Sequence, residues 1–385
     1  MKILITIGSF FPAQKGGPDN SVFNLAKVIS NNTDNVQVVC LFDSINNKLK
    51  KKFDIKENSI TVISNLKVIY FKYYFYRLFS PQYIWWLIKN IKNYQIIYVN
   101  SIFFYISFLV IFISGLSRKK LIISPRGELE PNAIKYKYIL KKIYLAIIFK
   151  FISKKNTTIL VTSKEEIKKS KKFLPPNIKY SIIENFIDLD SSDYVNIQNN
   201  KNRKNLIYLG RIHPKKNIEE LILAYSLLND EIKNYHKLIL IGTGKLNYEE
   251  KLINLISELN LIDYVEFLGH KVGNEKSKIL SSSKLLVLPS HTENFGNVIL
   301  EAYSCFLPCV CSSNTPWKIL DDLNIGFTYQ YGHKELSNKI NKILNWDDKT
   351  YYEICEKGRQ YIVDNYSTKN KDNKIKNFLR QIEKY

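Results

Sequence analysis

Between Asn58 and Gly127 the chain carries neither aspartate nor glutamate. That stretch holds Lys67, Lys72, Arg77, Lys89, Lys92, Arg118, Lys119, Lys120 and Arg126, and residues 131–164 again lack acids while holding eight lysines. With a net charge of +22, this segregation makes a field that attracts phosphate in some form: nucleic acid, anionic lipid or a phosphorylated substrate. A Lys/Asn/Ile-biased composition would account for the number of lysines, but less well for their separation from the acids.

Other absences narrow the chemistry. The sequence has no H-E-x-x-H and no G-K-S/T, and its histidines (213, 236, 270, 291 and 333) are dispersed, so no metal site and no P-loop is expected. The first strand is not followed by G-x-G-x-x-G, which argues against a nicotinamide dehydrogenase. Five cysteines fit no even disulfide framework and suit a reducing compartment. Cys305, Cys309 and Cys311 cluster, but at no zinc-knuckle spacing, and are read as buried small hydrophobes. "MKILITIGSF" has too short an apolar run for a secretory leader and reads as a buried strand. Residues 93–117 lack charge and are long enough to cross a bilayer. They parse better as a strand, "QIIYVNS", then a separate helix ending near Gly115, with a further strand in "KLIISPRG".

What is present completes an alternating pattern. Strands are expected at 2–7, 36–42, 60–63 or 67–71, 95–99, 121–124, 158–162 and 180–184. Helices are expected at 18–31, 81–93, 102–115, 132–152 and 164–172. After a polar linker, "NIQNNKNRKN" (196–205), the pattern restarts with strands at 206–210, 237–242, 265–269, 285–289 and 308–312. Helices are expected there at 217–229, 248–259, 274–281, 296–305 and 333–345. Alternating β and α predicts two Rossmann-like, doubly wound α/β domains, residues 1–185 and 186–364. A C-terminal helix over 365–385 is expected to pack back on the first, and ligands to bind in a cleft between the two. "VIYFKYYFYRLFSPQYIWWLIKNI" and "AIKYKYILKKIYLAIIFKFISKK" mix aromatic, apolar and basic residues. That mixture suits a membrane–water interface better than stacking on nucleic acid, with plain core plus solvated lysines as the third reading.

Three loops at strand ends carry the candidate chemistry. Gly16 and Gly17 precede a helix with Asp19, Asn20 or Ser21 as N-cap candidates, where backbone can approach a phosphate. Gly210 ends a strand, and Arg211, Lys215 and Lys216 follow it, two cation types suited to a diphosphate. "PSHTENFGNVILEAYS" sets Glu293 in a loop and Glu301 within a helix, eight residues apart, with the helix N-terminus at Gly296 and Asn297 between them. A nucleotide-sugar has the matching layout of ribose, diphosphate and sugar.

These residues resemble a family-4 retaining glycosyltransferase of the GT-B fold. The carriers are E-x7-E as Glu293 to Glu301, G-R-x-x-x-x-K as Gly210, Arg211 and Lys216, the Gly16-Gly17 loop and "SPRGELEPNA". "FGNVILEA" and "TPW" are similar to members that build bacterial surface polysaccharides on a polyprenyl-diphosphate lipid. The resemblance implies that Arg211 and Lys216 neutralise the donor diphosphate and that Glu301 accepts ribose hydroxyls. It implies that Glu293 binds the transferred sugar, helped by backbone N–H groups of Asn294, Phe295, Gly296 and Asn297, and that Gly17 lets the first domain close on the phosphates. No metal or cofactor is implied beyond the nucleotide-sugar donor, with UDP favoured over GDP. The implied partners are a lipid-linked glycan acceptor and an anionic membrane surface, not nucleic acid, and the implied place is the cytoplasmic face of the plasma membrane, held peripherally.

Departures from the family pattern carry their own expectations. Where relatives have an acceptor-side histidine, this chain has Pro125-Arg126-Gly127-Glu128. Arg126 could grip an acceptor diphosphate and Glu128 could orient a hydroxyl, or both could serve ordinary capping. Asn217 replaces a glycine and tolerates the left-handed conformation. Phe306 replaces a helix-ending glycine, so a shifted helix end is expected. The competing functions are a soluble transferase on a small acceptor and a catalytically dead membrane- or nucleic-acid-binding module.

Overall fold

The computed structural model describes residues 1–13, 17–33, 35–42, 45, 47–74, 79–153, 155–190, 194 and 202–384. The chain divides into two units, residues 1–185 with 371–385, and residues 186–370.

The first unit is built on an eight-stranded sheet: β1 Lys2–Thr6, β2 Asn35–Leu41, β3 Ile60–Ile63, β4 Leu66–Phe71, β5 Ile96–Asn100, β6 Lys120–Ser124, β7 Thr157–Val161 and β8 Lys179–Ile182. Their order is β3-β4-β2-β1-β5-β6-β7-β8. All pairings are parallel except that of β3 with β4. The two segments weighed as alternatives at 60–63 and 67–71 thus both form strands. Ser64 (φ 48°) and Asn65 (φ 66°) join them, the positive pair a two-residue hairpin turn requires. β5, "IIYVN", is buried along its whole length, as a strand covered on both faces by helices must be. The helix Tyr105–Leu116 follows it, and no described helix is long and apolar enough to cross a membrane.

Two expectations for this unit need correction. The helix read over 132–152 is two helices, Pro131–Lys135 and Tyr138–Ile148, broken where Lys137 turns left-handed at φ 58°. Asp19, Asn20 and Ser21 do not cap a helix: the helix Gly17–Asn32 already contains them.

The second unit has a six-stranded parallel sheet, β9 Lys204–Leu209, β10 Leu238–Ile241, β11 Val265–Gly269, β12 Ser283–Leu288, β13 Cys309–Ser312 and β14 Phe327–Tyr329, in the order β11-β10-β9-β12-β13-β14. The order reverses between β9 and β12, so the crevice outside their carboxyl ends is the natural ligand position of this unit. Of the linker read over 196–205, residues 196–201 lie outside the described residues, and the rest is not linker. Arg203 is buried, its guanidinium donating to the carbonyls of Ser283 (3.2 Å) and Cys305 (2.9 Å), and β9 begins one residue later. All five cysteines are free and buried, and burial raises the thiol of each.

The helix end at Phe306 does not shift. Phe306 itself takes the left-handed conformation at φ 54°, directly after the helix Asn297–Ser304 and Cys305. The turn is closed by N–H bonds from Phe306 to Tyr303 O (3.0 Å) and from Leu307 to Ala302 O (3.0 Å). The ring is buried beneath the Arg359 guanidinium at 4.5 Å. Tertiary packing therefore outweighs a conformational cost of about 1–2 kcal/mol. Asn217, at φ 52°, does adopt the left-handed state.

Two helices close the chain. Asp348–Tyr366 was not anticipated, and Thr368–Lys384 follows it. From Lys371 onward the last helix belongs to the first unit, burying Ile375, Phe378, Leu379 and Ile382. Lys371 and Lys374 pair with Glu184 at 3.1 and 2.7 Å, and Asn32 donates to Asp372 at 2.8 Å.

Candidate functional site

In the second unit, β9 hands the chain to Gly210, whose N–H donates to Ile241 O at 2.9 Å, and then to the exposed Arg211. The Tyr208 hydroxyl fixes this step by donating to Arg211 O at 2.8 Å. A short turn, Pro214–Lys216, ends at the left-handed Asn217. Glu220 pins that turn: one oxygen holds the Asn217 amide, and the other accepts the Gly332 N–H at 2.6 Å. Around the turn positive charge accumulates. His213 is held below its usual value, first by burial and then by Arg211, Lys215, Lys245 and Lys216. Its shift reports a cation cluster that includes Lys245 at the end of "IGTGK", which sequence reading had not assigned.

The loop after β12 faces the same turn. The His291 N–H donates to Lys215 O at 3.0 Å, and Lys216 Nζ pairs with the Glu293 carboxylate. Ser290 Oγ donates to the same carboxylate at 2.7 Å. Lys216 and Glu293, assigned to different parts of a ligand, are thus brought together. An ammonium has three donors and a carboxylate two oxygens, so each keeps capacity for a ligand.

Gly296 opens the following helix at φ 86°, and a Cβ there would lie 3.2 Å from Trp317 Nε1. The indole donates to Phe295 O at 2.5 Å, and the Phe295 ring packs at 5.4 Å from it. Phe295 is therefore buried, and only its backbone could meet a ligand. Asn294 and Asn297 flank this point, and the helix Asn297–Ser304 presents the positive end of its dipole there. Glu301, in the second turn, pairs with Lys276 at 3.0 Å, the two side chains 14% and 11% exposed. Lys276 carries no local sequence signal and is defined by its contact with Glu301, whereas Ser290 meets Glu293 only three residues away. Among the described residues no group of three His, Cys, Asp or Glu could hold a metal ion.

The candidates of the first unit lie at the carboxyl end of its sheet. Gly16 is outside the described residues, and Gly17 is exposed at the start of its helix. Asp19 is buried and accepts the Ser9 hydroxyl at 2.9 Å. Arg126, left-handed at φ 54°, donates to Ser21 Oγ (3.1 Å), Asn185 Oδ1 (3.2 Å), Tyr98 OH (3.0 Å) and Asn100 Oδ1 (3.2 Å). All four partners are neutral, and its buried Nε has none among the described residues. Glu128 has a structural task. Its carboxylate accepts from Ser101 Oγ (2.5 Å) and from the N–H groups of Ile102 (2.5 Å) and Phe103 (3.2 Å), so it pins the loop after β5.

Two doubly wound units of this order define the class: this is the GT-B glycosyltransferase fold. The chain is similar to the crystal structure of HepE from Anabaena in complex with UDP and glucose, at 20% identity and a TM-score of 0.77, over 99% of this chain and 100% of that one. It is also similar to WaaG, a glycosyltransferase involved in lipopolysaccharide biosynthesis, at 16% identity and a TM-score of 0.69, over 97% and 99%. Residues 192–379 match the family described as "Glycosyl transferases group 1".

Among curated relatives, the O-antigen chain mannosyltransferase B of Escherichia coli is 34% identical over 28% of this chain and 28% of its own length. The N-acetyl-alpha-D-glucosaminyl L-malate synthase of Bacillus anthracis is 25% identical over 42% of this chain and 43% of its own. These matches span less than half of either relative.

Proposed function

We propose that the chain is a retaining glycosyltransferase that moves a hexose or N-acetylhexosamine-type sugar from a nucleotide-diphosphate donor, UDP before GDP, to a polyprenyl-diphosphate-linked oligosaccharide in bacterial surface-polysaccharide synthesis. The observation that carries it is the meeting of Lys216 and Glu293 beside the N-terminus of the helix Asn297–Ser304. The UDP and glucose in HepE and the O-antigen and lipopolysaccharide roles in the names of two relatives support the donor and acceptor classes.

In this reading Arg211 and Lys216 face the diphosphate, and Glu301 takes the ribose hydroxyls. Glu293 uses its remaining oxygen for the sugar, with backbone from Asn294 to Asn297 alongside. The acceptor hydroxyl attacks the anomeric carbon on the face the nucleotide leaves. The bond from that carbon to the phosphate oxygen breaks, charge grows on the leaving diphosphate, and the same phosphate takes the acceptor's proton. Cations and a helix N-terminus aimed at that charge lower the barrier without a protein nucleophile and without a metal. In the first unit, the Arg126 guanidinium, whose partners among the described residues are all neutral, would meet an acceptor phosphate, while the acid-free segments face an anionic membrane surface. A thermal-shift panel of UDP, GDP, ADP and dTDP tests the donor. UDP is expected to raise the melting temperature most, and a panel in which no nucleotide does so would sink the site.

A further inference from the structure

The amino-terminal edge of the first unit's sheet holds a feature that the transfer reaction does not use. A cavity of about 630 Å³ is walled by Arg118, Lys150 and Lys155 together with Leu116, Phe151 and Asn156, and among the described residues no carboxylate lines it. Arg118 lies just before β6 and Lys155 just before β7, whereas Asn100 and Arg126 lie at the opposite strand ends. A five-residue strand puts roughly 16 Å between those edges. None of the three cations has an ion partner among the described residues. The wall is rigid. Asn156 Nδ2 donates to Arg118 O at 3.0 Å, and Phe151 O comes so close to Gly115 that a Cβ there would lie 2.2 Å from it.

An apolar stripe leads to the cavity. On the helix Tyr138–Ile148, Ile139, Ile143 and Ile147 recur every four residues and are 72%, 53% and 43% exposed. Leu116, in the cavity wall itself, is 65% exposed. Continued past the helix end, the stripe reaches Lys150 and Phe151 at the rim. Solvated lysines alone would not need apolar neighbours kept out of the core. A second copy of this chain would set one acid-free, lysine-rich face against another. A bilayer surface answers both features, with phosphate for the cations and the acyl boundary for the stripe.

We infer that this cavity binds the phosphate headgroup of an anionic phospholipid, while Leu116, Ile139, Ile143 and Ile147 enter the acyl boundary beside it. The inference rests on the membrane-surface part of the function proposed above and gives that surface one defined headgroup site.

The test is flotation of the full chain with vesicles of phosphatidylcholine alone or with phosphatidylglycerol added. Wild type is expected to float only with the anionic lipid. The variant Arg118→Gln/Lys150→Gln/Lys155→Gln should lose on the order of 100-fold in partitioning, since each cation at an anionic surface contributes roughly fivefold. The variant Lys48→Gln/Lys51→Gln/Lys52→Gln removes the same charge from another exposed helix and should lose far less. Ile139→Ser/Ile143→Ser/Ile147→Ser should weaken binding while its melting temperature holds. Equal losses in the two charge variants would overturn the headgroup site and leave a general membrane attraction standing. No flotation of wild type with any vesicle would overturn both. Displacement by soluble glycerol 3-phosphate at matched phosphate concentration would overturn it in favour of a free ligand. UDP binding, read as a thermal shift, is a separate measurement and should be unchanged in every variant; its absence in wild type would defeat the donor reading alone.

Discussion

Replacing Glu301 by glutamine separates two roles that the structure superimposes on one carboxylate. Glu301 holds Lys276 at 3.0 Å, with both side chains nearly out of solvent. It is also the proposed acceptor of the ribose hydroxyls. Losing the negative charge leaves Lys276 without its partner. For a buried pair with about a tenth of its surface still wet, that costs roughly 2–4 kcal/mol of stability, measured as a lower urea midpoint. A hydroxyl bond to a charged group contributes about 1.5–3 kcal/mol, so UDP affinity should fall by about 10- to 150-fold.

Loss of affinity alone would not tell ribose contact from a displaced helix. Isothermal titration should therefore compare UDP with 2′,3′-dideoxy-UDP. Wild type should prefer UDP by about the same 10- to 150-fold, and Glu301→Gln should nearly abolish the preference. The double variant Glu301→Gln/Lys276→Met should regain stability without regaining affinity. If the single variant weakens both nucleotides by one common factor, Glu301 does not touch the ribose, and the assignment of the two glutamates to opposite ends of the donor fails.

Three further outcomes are expected. Gly296→Ala should cost about 1–2 kcal/mol for its left-handed backbone, more if Trp317 cannot yield, and should weaken UDP binding; an unchanged melting temperature would contradict the positive φ. His213 is held low in the folded chain, so its stability contribution is present above the unfolded value near 6.5 and is lost as pH falls below it. A diphosphate bound among Arg211, Lys215, Lys216 and Lys245 should move that value back up, seen as a shifted imidazole titration in NMR spectra with UDP, and no movement would place the phosphates elsewhere. Arg203→Ala leaves the buried carbonyls of Ser283 and Cys305 without their donor and should destabilise the second unit by about 3 kcal/mol in urea unfolding, whereas a solvated linker residue would cost nothing.

The sheets were legible because buried parallel strands spell themselves in β-branched runs, as "IIYVN" and "LILI" do. The helix Asp348–Tyr366 was not, although its buried positions Tyr351, Cys355, Gly358 and Ile362 keep a helical spacing. Two of those four are cysteine and glycine, which carry little weight in a hydrophobic pattern. β14 is three residues long, too short for any period to register. Phe306 misled because the local rule holds and loses: a ring stacked under Arg359 and two turn hydrogen bonds outweigh the backbone preference. At the candidate site the loops and their charges were readable, but their partners were not. Lys216 and Glu293 lie 77 residues apart and Lys276 and Glu301 lie 25 apart, so only the folded sheet shows that each glutamate already has a lysine.

The last helix has a consequence for the order in which the molecule can be completed. The second unit is one continuous run of chain, but the first is not: residues 371–385 belong to it, after 185 residues of the other unit have intervened. During synthesis from the amino terminus, the surface that receives Ile375, Phe378, Leu379 and Ile382 must therefore wait, with Glu184 lacking Lys371 and Lys374, until those residues emerge. Of the two units, the one begun first is the last to be finished.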